Sequence, residues 1–277
     1  MDRLSVKISG QQVSYLDSSG GQGSHDGQVV IFVHGNSSSA RTWLPVMTGD
    51  FGRRFRCIAP DLPGHGQSEP ARDQADYSLP GYAAVLTGLV QALEVANAVI
   101  VGWSMGGQIT LEAAPMLPDA GGFVIFGAPP VASPADMAEA FLPSPAIGTL
   151  FKSDVSESEA KQAAGAYIAP GSPFDTSELV SEILATDGVA RAGMASSVGQ
   201  GRFADEIAIV AALRQPLAIV QGADEQLVRL GYLRKLSIPA LWRGQVQVIP
   251  GAAHAPHLEA PQQFATLLTA FIDSLGG

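Results

Sequence analysis

The pentapeptide Gly102-Trp103-Ser104-Met105-Gly106 is the feature of this chain that most restricts how it can fold. It follows the short apolar run 98–101, which is typical of a buried parallel strand, and it precedes a stretch with helical character. Ser104 is therefore predicted to lie on a tight turn between a strand and a helix, where the flanking glycines let two backbones approach. This G-x-S-x-G arrangement is a nucleophile elbow, in which a serine Oγ stands above the sheet beside a helix N-terminus.

A serine hydroxyl is a weak nucleophile at neutral pH, so the chain must also supply a general base. An elbow serine is followed along the chain by an acid and then by a histidine. Of the five histidines, only His254 and His257 come late enough, after the predicted strand 245–249. His254 follows a glycine and two alanines that allow close packing against Ser104, so it is the preferred base, with His257 as the alternative.

The other three histidines have structural interpretations. His25 lies in a Gly/Ser/Gln stretch that predicts an exposed hairpin loop. His34 directly follows the predicted strand 28–33, and His65 lies in a turn-rich loop. Because the chemistry needs one base, His34 is predicted to be a structural loop residue.

Two adjacent carboxylates compete to be the acid that orients the base. Asp224 and Glu225 follow the predicted strand 217–221 and Gly222. In folds with this elbow, the acid usually lies three residues after the glycine that ends the strand. This spacing favours Glu225, and Asp224 is the alternative. The acid fixes the tautomer of the histidine and stabilises its charged form.

The oxyanion of the reaction needs backbone donors beside Ser104. The turn at Gly35 is predicted to direct the N–H of Asn36 toward the same point as the N–H of Met105. Each such donor is typically worth ~3 kcal/mol in the transition state. Asn36 and Met105 are therefore the predicted oxyanion hole.

Composition limits the partners of the chain. The net charge is −10, the pI is about 4.8, and lysine and arginine are scattered without a basic run, so nucleic acid and membrane surfaces are not expected partners. The single cysteine, Cys57, excludes an internal disulfide and is predicted to be buried. There is no apolar stretch of ~18 residues, no signal peptide and no metal-ligand or cofactor motif. We therefore expect a cytoplasmic protein that uses no metal and no cofactor.

The order of the predicted elements indicates an α/β fold. Strands alternate with helices, which predicts a mostly parallel sheet of eight strands with helices on both faces, and the first two strands, near 4–8 and 12–16, should form a hairpin. The regular spacing stops after 127–130, and the next confident strand begins near Leu217. A structureless loop of that length would be unusual, so the interval is predicted to be a helical cap. Its helices are expected near 134–142, 155–166, 176–186 and 203–213.

The predicted domains are thus a core formed by 1–131 and 213–277 and a cap formed by 132–212. Apolar side chains in the cap are candidates to line a substrate pocket over Ser104, beside Trp103. The plainer alternative is that they pack the cap against the core. The cap candidates are Met137, Phe141, Leu142, Ile147, Leu150 and Phe151.

The combination of His34-Gly35, the run 61–68, the elbow 102–107, the loop 222–225 and His254 resembles the α/β-hydrolase superfamily over almost the full chain. A narrower resemblance is to the serine-dependent N-acyl-homoserine lactonases and related esterases. It rests on the runs 33–39, 58–66, 102–104, 128–131, 186–188, 224–225 and 251–256.

This narrower resemblance also supports Glu225 as the acid. It fades between about 132 and 170. In those lactonases a cap tyrosine helps to hold the lactone, and the nearest candidate in this chain is Tyr167.

The resemblance implies a serine hydrolase with an acyl-enzyme mechanism that opens the lactone ring of N-acyl-homoserine lactones, which is a quorum-quenching activity. A general short-chain carboxylesterase is the alternative. Carbon–carbon bond hydrolases and perhydrolases keep the elbow serine and stay open, whereas haloalkane dehalogenases and epoxide hydrolases carry an aspartate there. A non-catalytic ligand-binding receptor on a hydrolase scaffold is a further alternative, although such proteins usually lose part of the triad.

Overall fold

The computed structural model describes residues 1–19 and 27–276, and these form an eight-stranded sheet. The spatial order is β1-β2-β4-β3-β5-β6-β7-β8. The strands are β1 (Asp2–Ile8), β2 (Gln11–Asp17), β3 (Val29–Val33), β4 (Arg56–Pro60), β5 (Val99–Trp103), β6 (Gly122–Phe126), β7 (Leu217–Gly222) and β8 (Gln247–Ile249). β2 pairs antiparallel with β1 and β4, and every other neighbouring pair is parallel. The predicted sheet and its opening hairpin are confirmed.

The central strands are apolar throughout because helices cover both faces of the sheet. In β3, Val30 and Phe32 pack into the hydrophobic core on one face, whereas Ile31 and Val33 pack into the core on the other. The first core also receives Phe264, and the second receives Ile109. The sheet therefore holds the carboxyl ends of β3, β5, β7 and β8 along one edge, where the loops that carry the candidate site residues begin.

The helices begin at local signals in the sequence. The Ser78 hydroxyl accepts a hydrogen bond from the Gly81 N–H, and Ser156 and Glu159 form a capping box. Outside the interval 132–212 the described helices are α1 (Leu44–Met47), α2 (Asp50–Arg54), α3 (Leu79–Ala92), α4 (Met105–Ala113), α11 (Leu230–Leu233), α12 (Pro256–Glu259) and α13 (Pro261–Asp273). Inside it they are α5 (Pro134–Ala140), α6 (Pro145–Thr149), α7 (Glu157–Ala166), α8 (Ser177–Ala185), α9 (Gly188–Gly199) and α10 (Glu206–Ala212).

We call the interval 132–212 the helical segment; all of its residues are described. Apart from an isolated bridge between Phe141 and Val228, its regular structure is helical. The guanidinium of Arg191 on α9 ties the segment together, because it donates to the carbonyls of Lys152, Ser153, Ile183 and Thr186. The division of the chain into a core and a separate cap remains a prediction.

The structure differs from the sequence prediction mainly within the helical segment. The twelve-residue helix α9 and the short helix α6 were not predicted, and neither were the short helices α2, α11 and α12 outside the segment. The predicted helix 134–142 ends at Ala140, because Phe141 adopts an extended conformation and bridges to Val228. The hairpin loop predicted around His25 lies outside the described residues.

Candidate active site

Ser104 lies at the turn between β5 and α4 in a backbone conformation that few side chains adopt, with φ 53° and ψ −122°. Its N–H donates to the carbonyl of Phe126 on the neighbouring strand at 2.8 Å, and its carbonyl accepts from Gly107 at 2.8 Å. Glycine is required at 106, because a Cβ there would lie 2.2 Å from the carbonyl oxygen of Val33. The elbow thus holds a strained serine between two strands and the start of a helix.

His254 and Glu225 come together from two different loops. The Nδ1 atom of His254 lies 3.0 Å and 3.1 Å from the two carboxylate oxygens of Glu225, and both side chains are almost completely buried. The Leu227 N–H also donates to Glu225 Oε1 at 2.8 Å, which fixes the carboxylate. Asp224 is exposed and makes no contact of this kind with His254.

The imidazole of His254 is held from several sides. Gly127 has φ +61°, and a Cβ there would lie 2.5 Å from His254 Cε1, so a bare backbone forms one wall. Tyr167 stacks on the ring at a centroid distance of 5.4 Å, and the Trp103 indole N–H donates to the His254 carbonyl. Nε2 is buried and has no hydrogen-bond partner within the described residues. It is therefore free to exchange a proton with a group in the cavity.

We expect Glu225→Gln to lower kcat by about 10³- to 10⁴-fold, because an amide loses the negative charge that stabilises the imidazolium and favours the wrong tautomer. Asp224→Asn is the matched control and should leave kcat close to the wild-type value, since this carboxylate is exposed. Steady-state kinetics on p-nitrophenyl butyrate would measure both. A larger loss in Asp224→Asn would reassign the acid.

Two backbone N–H groups are the candidates for the oxyanion hole beside Ser104. A Cβ on Gly35 would lie 3.2 Å from the Ser104 Cβ, so the turn that carries Asn36 runs directly past the serine. Met105 is the first residue of α4, where a backbone N–H has no partner within its helix. Neither the Asn36 N–H nor the Met105 N–H donates to another group in the part of the chain that the structure describes. Both are available to an oxyanion, as the sequence predicts, and their catalytic role remains a proposal.

His34 and His65 are buried in the loops that follow β3 and β4, next to the site. His34 Nδ1 donates to the Gly35 carbonyl at 2.8 Å, and its Nε2 accepts from the Leu62 N–H at 3.0 Å. Burial lowers the pKa of His34 to about 4, and burial together with the nearby His34 lowers the pKa of His65 to about 3. Both rings are therefore neutral at physiological pH, and His34 fixes the turn that precedes Asn36.

His257 lies in the core, away from the site. Its Nε2 lies 2.8 Å from Thr42 Oγ1, and its ring packs against Trp43, Trp103 and Phe126. Burial, followed by the effect of His254, lowers its pKa well below the usual value. The sequence interpretation of His257 as the alternative base does not match this position.

Stability should fall as the solution is acidified from pH 7 to pH 5. The unfolded chain binds a proton at each imidazole near pH 6.5, whereas folded His65 does so only at about pH 3. His34 and His65 should therefore each lose about 2 kcal/mol of stabilisation over this range. The buried Glu206 carboxyl, whose pKa is raised, acts in the opposite direction.

The comparison of wild type with His65→Gln isolates one of these groups. Urea unfolding at pH 7 and pH 5 should show a decrease that is about 2 kcal/mol smaller in the variant. An identical decrease in both proteins would show that His65 is not neutral in the folded state.

A cavity of about 350 Å³ opens over Ser104 and is lined by both the sheet edge and the helical segment. Of the predicted pocket residues, Met137, Phe141, Ile147, Leu150 and Phe151 line it. Met194 and Val198 on the unpredicted helix α9 complete the apolar wall. The polar side chains that line it are those of Asn36, Ser104, Gln108 and His254, and none of the described lining residues is Asp, Glu, Lys or Arg.

Three predicted pocket residues do not line this cavity. Leu142 is absent from the lining, and its N–H donates to the carbonyl of Leu227. Trp103 is completely buried behind the serine, and Tyr167 is buried against His254, where its hydroxyl lies 3.5 Å from the Asn36 carbonyl. Both aromatic side chains therefore support the site residues.

Two polar residues of the site were also not anticipated. Gln108 lines the cavity one helical turn after Ser104, and its spacing of four residues is a signal that the sequence offered. Glu259 accepts from the N–H groups of Ala253 and Ala169 and so joins the His254 loop to the helical segment. No sequence pattern indicates this link.

The described residues contain no group of three or more His, Cys, Asp or Glu side chains arranged to hold a metal ion. Among the helices that the structure describes, none combines the length and the apolar character needed to cross a bilayer.

Residues 30–267 match the model of the alpha/beta hydrolase family. This match covers most of the chain and agrees with the eight-stranded sheet and with the turn that carries Ser104. The chain belongs to the alpha/beta hydrolase family, and it is a hydrolase.

Comparison with solved structures shows a more specific similarity within this family. The N-acyl homoserine lactonase AidH, crystallised with N-hexanoyl homoserine lactone, is 34% identical to this chain. The superposition has a TM-score of 0.92 and covers 99% of this chain and 98% of AidH. AidH has also been crystallised with N-butanoyl homoserine.

Two relatives identified by sequence are similar to different extents of the chain. The 2-(acetamidomethylene)succinate hydrolase of Mesorhizobium japonicum is 29% identical over 90% of this chain and 89% of its own length. An uncharacterized protein of Mycobacterium tuberculosis is 38% identical over 92 residues, which are 33% of this chain. That match spans only 26% of the mycobacterial protein.

Proposed function

We propose that this protein is a serine-dependent ester hydrolase that opens the lactone ring of N-acyl-homoserine lactones. The observation that carries the proposal is an uncharged, largely apolar cavity directly above a Ser104, His254 and Glu225 set. An uncharged ring with an acyl tail suits such a lining. The full-length likeness to AidH supports the same substrate class. Ring opening inactivates these signalling lactones, so the proposed role is quorum quenching.

The proposed mechanism begins with attack of Ser104 Oγ on the lactone carbonyl carbon while His254 Nε2 takes the hydroxyl proton. The oxygen that becomes negative accepts hydrogen bonds from the Asn36 and Met105 N–H groups. The carbon–oxygen bond of the ring then breaks, and His254 returns the proton to the departing alkoxide. Because the substrate is cyclic, this alcohol stays attached to the acyl group.

Water completes the cycle. It attacks the acyl-serine carbonyl while His254 again accepts a proton, and the bond to Ser104 Oγ breaks as that proton is returned. The net reaction adds one water and yields N-acyl-homoserine. Glu225 stabilises the imidazolium that forms in both halves of the reaction. The helical segment acts in this proposal as a cap that keeps bulk water from the acyl tail.

Mass spectrometry of the product tests the proposal. Incubation with N-hexanoyl-homoserine lactone at neutral pH should yield a product heavier by one water, with the amide intact. Ser104→Ala is the control for spontaneous ring opening. Free hexanoic acid with homoserine lactone would instead identify an acylase.

A parallel measurement of kcat/KM on p-nitrophenyl butyrate separates the lactonase from a general carboxylesterase, since the apolar lining also suits a linear acyl chain. Efficient turnover of the linear ester with no lactone opening would support the carboxylesterase and contradict the lactonase.

A further inference from the structure

Gln108 on α4 carries a buried polar atom that the proposed mechanism does not use. The residue lines the cavity and is only 8% exposed. Its Nε2 donates to the carbonyl of Pro129 at 3.0 Å, which fixes the orientation of the amide, since a carbonyl oxygen can only accept. The opposite atom, Oε1, is buried and receives no hydrogen bond from the described residues. A buried acceptor left without a donor is costly, so this atom calls for an explanation.

The other polar side chains of the cavity are already committed. Asn36 Nδ2 donates to the Leu150 carbonyl, and its Oδ1 accepts from the Ser37 hydroxyl. Ser104 and His254 are the reacting pair of the proposed mechanism. Apart from the reacting pair, Gln108 Oε1 is the side-chain acceptor of the described lining that has no partner for a donor on the substrate to displace.

Gln108 also lies close enough to Ser104 along α4 to contact a substrate group near the scissile carbonyl. Its backbone N–H donates to the Ser104 carbonyl, so the two residues stand one above the other across the first turn of α4. One helical turn separates their backbones by about 5–6 Å along the helix axis. A substrate donor that Gln108 reaches must therefore lie close to the carbonyl that Ser104 attacks.

We propose that Gln108 is a specificity residue whose Oε1 accepts a hydrogen bond from the amide N–H of an α-acylamino ester or lactone. In an N-acyl-homoserine lactone the amide nitrogen is bonded to the ring carbon next to the scissile carbonyl, which meets this requirement. Gln108 thereby favours substrates with an N–H at this position over simple esters. This inference rests on the proposed function and names the chemical group that the site recognises.

A pair of lactones tests the inference. One is N-hexanoyl-homoserine lactone, and the other is α-hexanoyloxy-γ-butyrolactone, in which an oxygen replaces the N–H. Ring opening of each is measured as kcat/KM and divided by the rate constant of its hydroxide-catalysed ring opening. Wild type should favour the amide about tenfold by this measure, because the oxygen analogue leaves Oε1 unpaired. Gln108→Met should reduce this preference to about equal rates.

Val198→Ala is the control variant, because it changes the same cavity wall without touching a polar atom. It should alter kcat/KM for both lactones by the same factor and keep the preference. A preference that persists in Gln108→Met would show that the side chain only supports the Pro129 loop, and would overturn the inference.

The wild-type preference is informative by itself, so the test stands even if Gln108→Met folds poorly. Equal normalised rates in wild type would refute the role of Gln108 while leaving the lactonase proposal intact. Failure of wild type to open either lactone, with p-nitrophenyl butyrate still hydrolysed, would remove the proposed function and this inference with it.

Discussion

Ser104→Ala should lower kcat on the order of 10⁴- to 10⁶-fold, because loss of the nucleophile leaves only binding and the oxyanion donors. The fold should be unaffected, since the Ser104 hydroxyl makes no hydrogen bond to another described residue that its removal would break. Kinetics on p-nitrophenyl butyrate measure the activity, and labelling with a fluorophosphonate probe reports whether a reactive serine is present. The variant should be neither active nor labelled.

Ser197→Ala provides the matched control. Ser197 is a buried serine on α9 whose hydroxyl donates to the Arg202 carbonyl, away from the cavity lining. It should keep the wild-type kcat and the wild-type labelling. If Ser104→Ala retained about a tenth or more of the activity, the elbow serine would not be the nucleophile.

His254→Ala should reduce kcat about as strongly as Ser104→Ala, since nucleophile and base act as one unit and their losses are not additive. His257→Ala should behave differently. This ring fills a space between Trp43 and Trp103, so its loss should lower the free energy of unfolding by about 2–5 kcal/mol while the folded enzyme remains active.

Urea unfolding and kcat per folded molecule separate these two effects. The folded His254→Ala variant should be inactive whatever its urea midpoint, and the double variant with Ser104→Ala should be no slower than either single variant. The opposite order, with His257→Ala inactive and His254→Ala merely unstable, would exchange the assignments of the two histidines.

The sheet could be predicted from the sequence because each buried strand is a short apolar run that ends at a turn residue. The helix α9 could not, because it contains Gly188, Gly193 and Gly199, and glycine usually indicates a break. At Gly193 the reason lies in the packing, since a Cβ there would approach the Tyr77 Cβ to 2.6 Å. Gly193 is thus needed for a contact with a residue distant in sequence, which the residues around it do not indicate.

The triad residues of the site could be predicted, because their order along the chain and the residues of the turn at Ser104 identify them. Ser104, Glu225 and His254 follow the chain order of serine, acid and histidine that accompanies an elbow, and the structure brings Glu225 to within hydrogen-bond distance of His254. The cavity wall was predicted less well, because apolar residues in the helical segment do not indicate which way they face. Leu142 shows this, since it does not line the cavity although the adjacent Phe141 does.

The uncharged lining of the cavity has a consequence for the end of the catalytic cycle. Hydrolysis of any ester turns a neutral substrate into a carboxylate, which is ionised at neutral pH. The described lining offers no lysine or arginine to hold that charge, and the buried carboxylate of Glu225 lies on the far side of His254. The new anion therefore has backbone donors but no opposite charge where it forms, and the Glu225 carboxylate repels it. A lining that suits the neutral substrate therefore binds the charged product weakly. The carboxylic acid product should accordingly be a weak inhibitor of the enzyme.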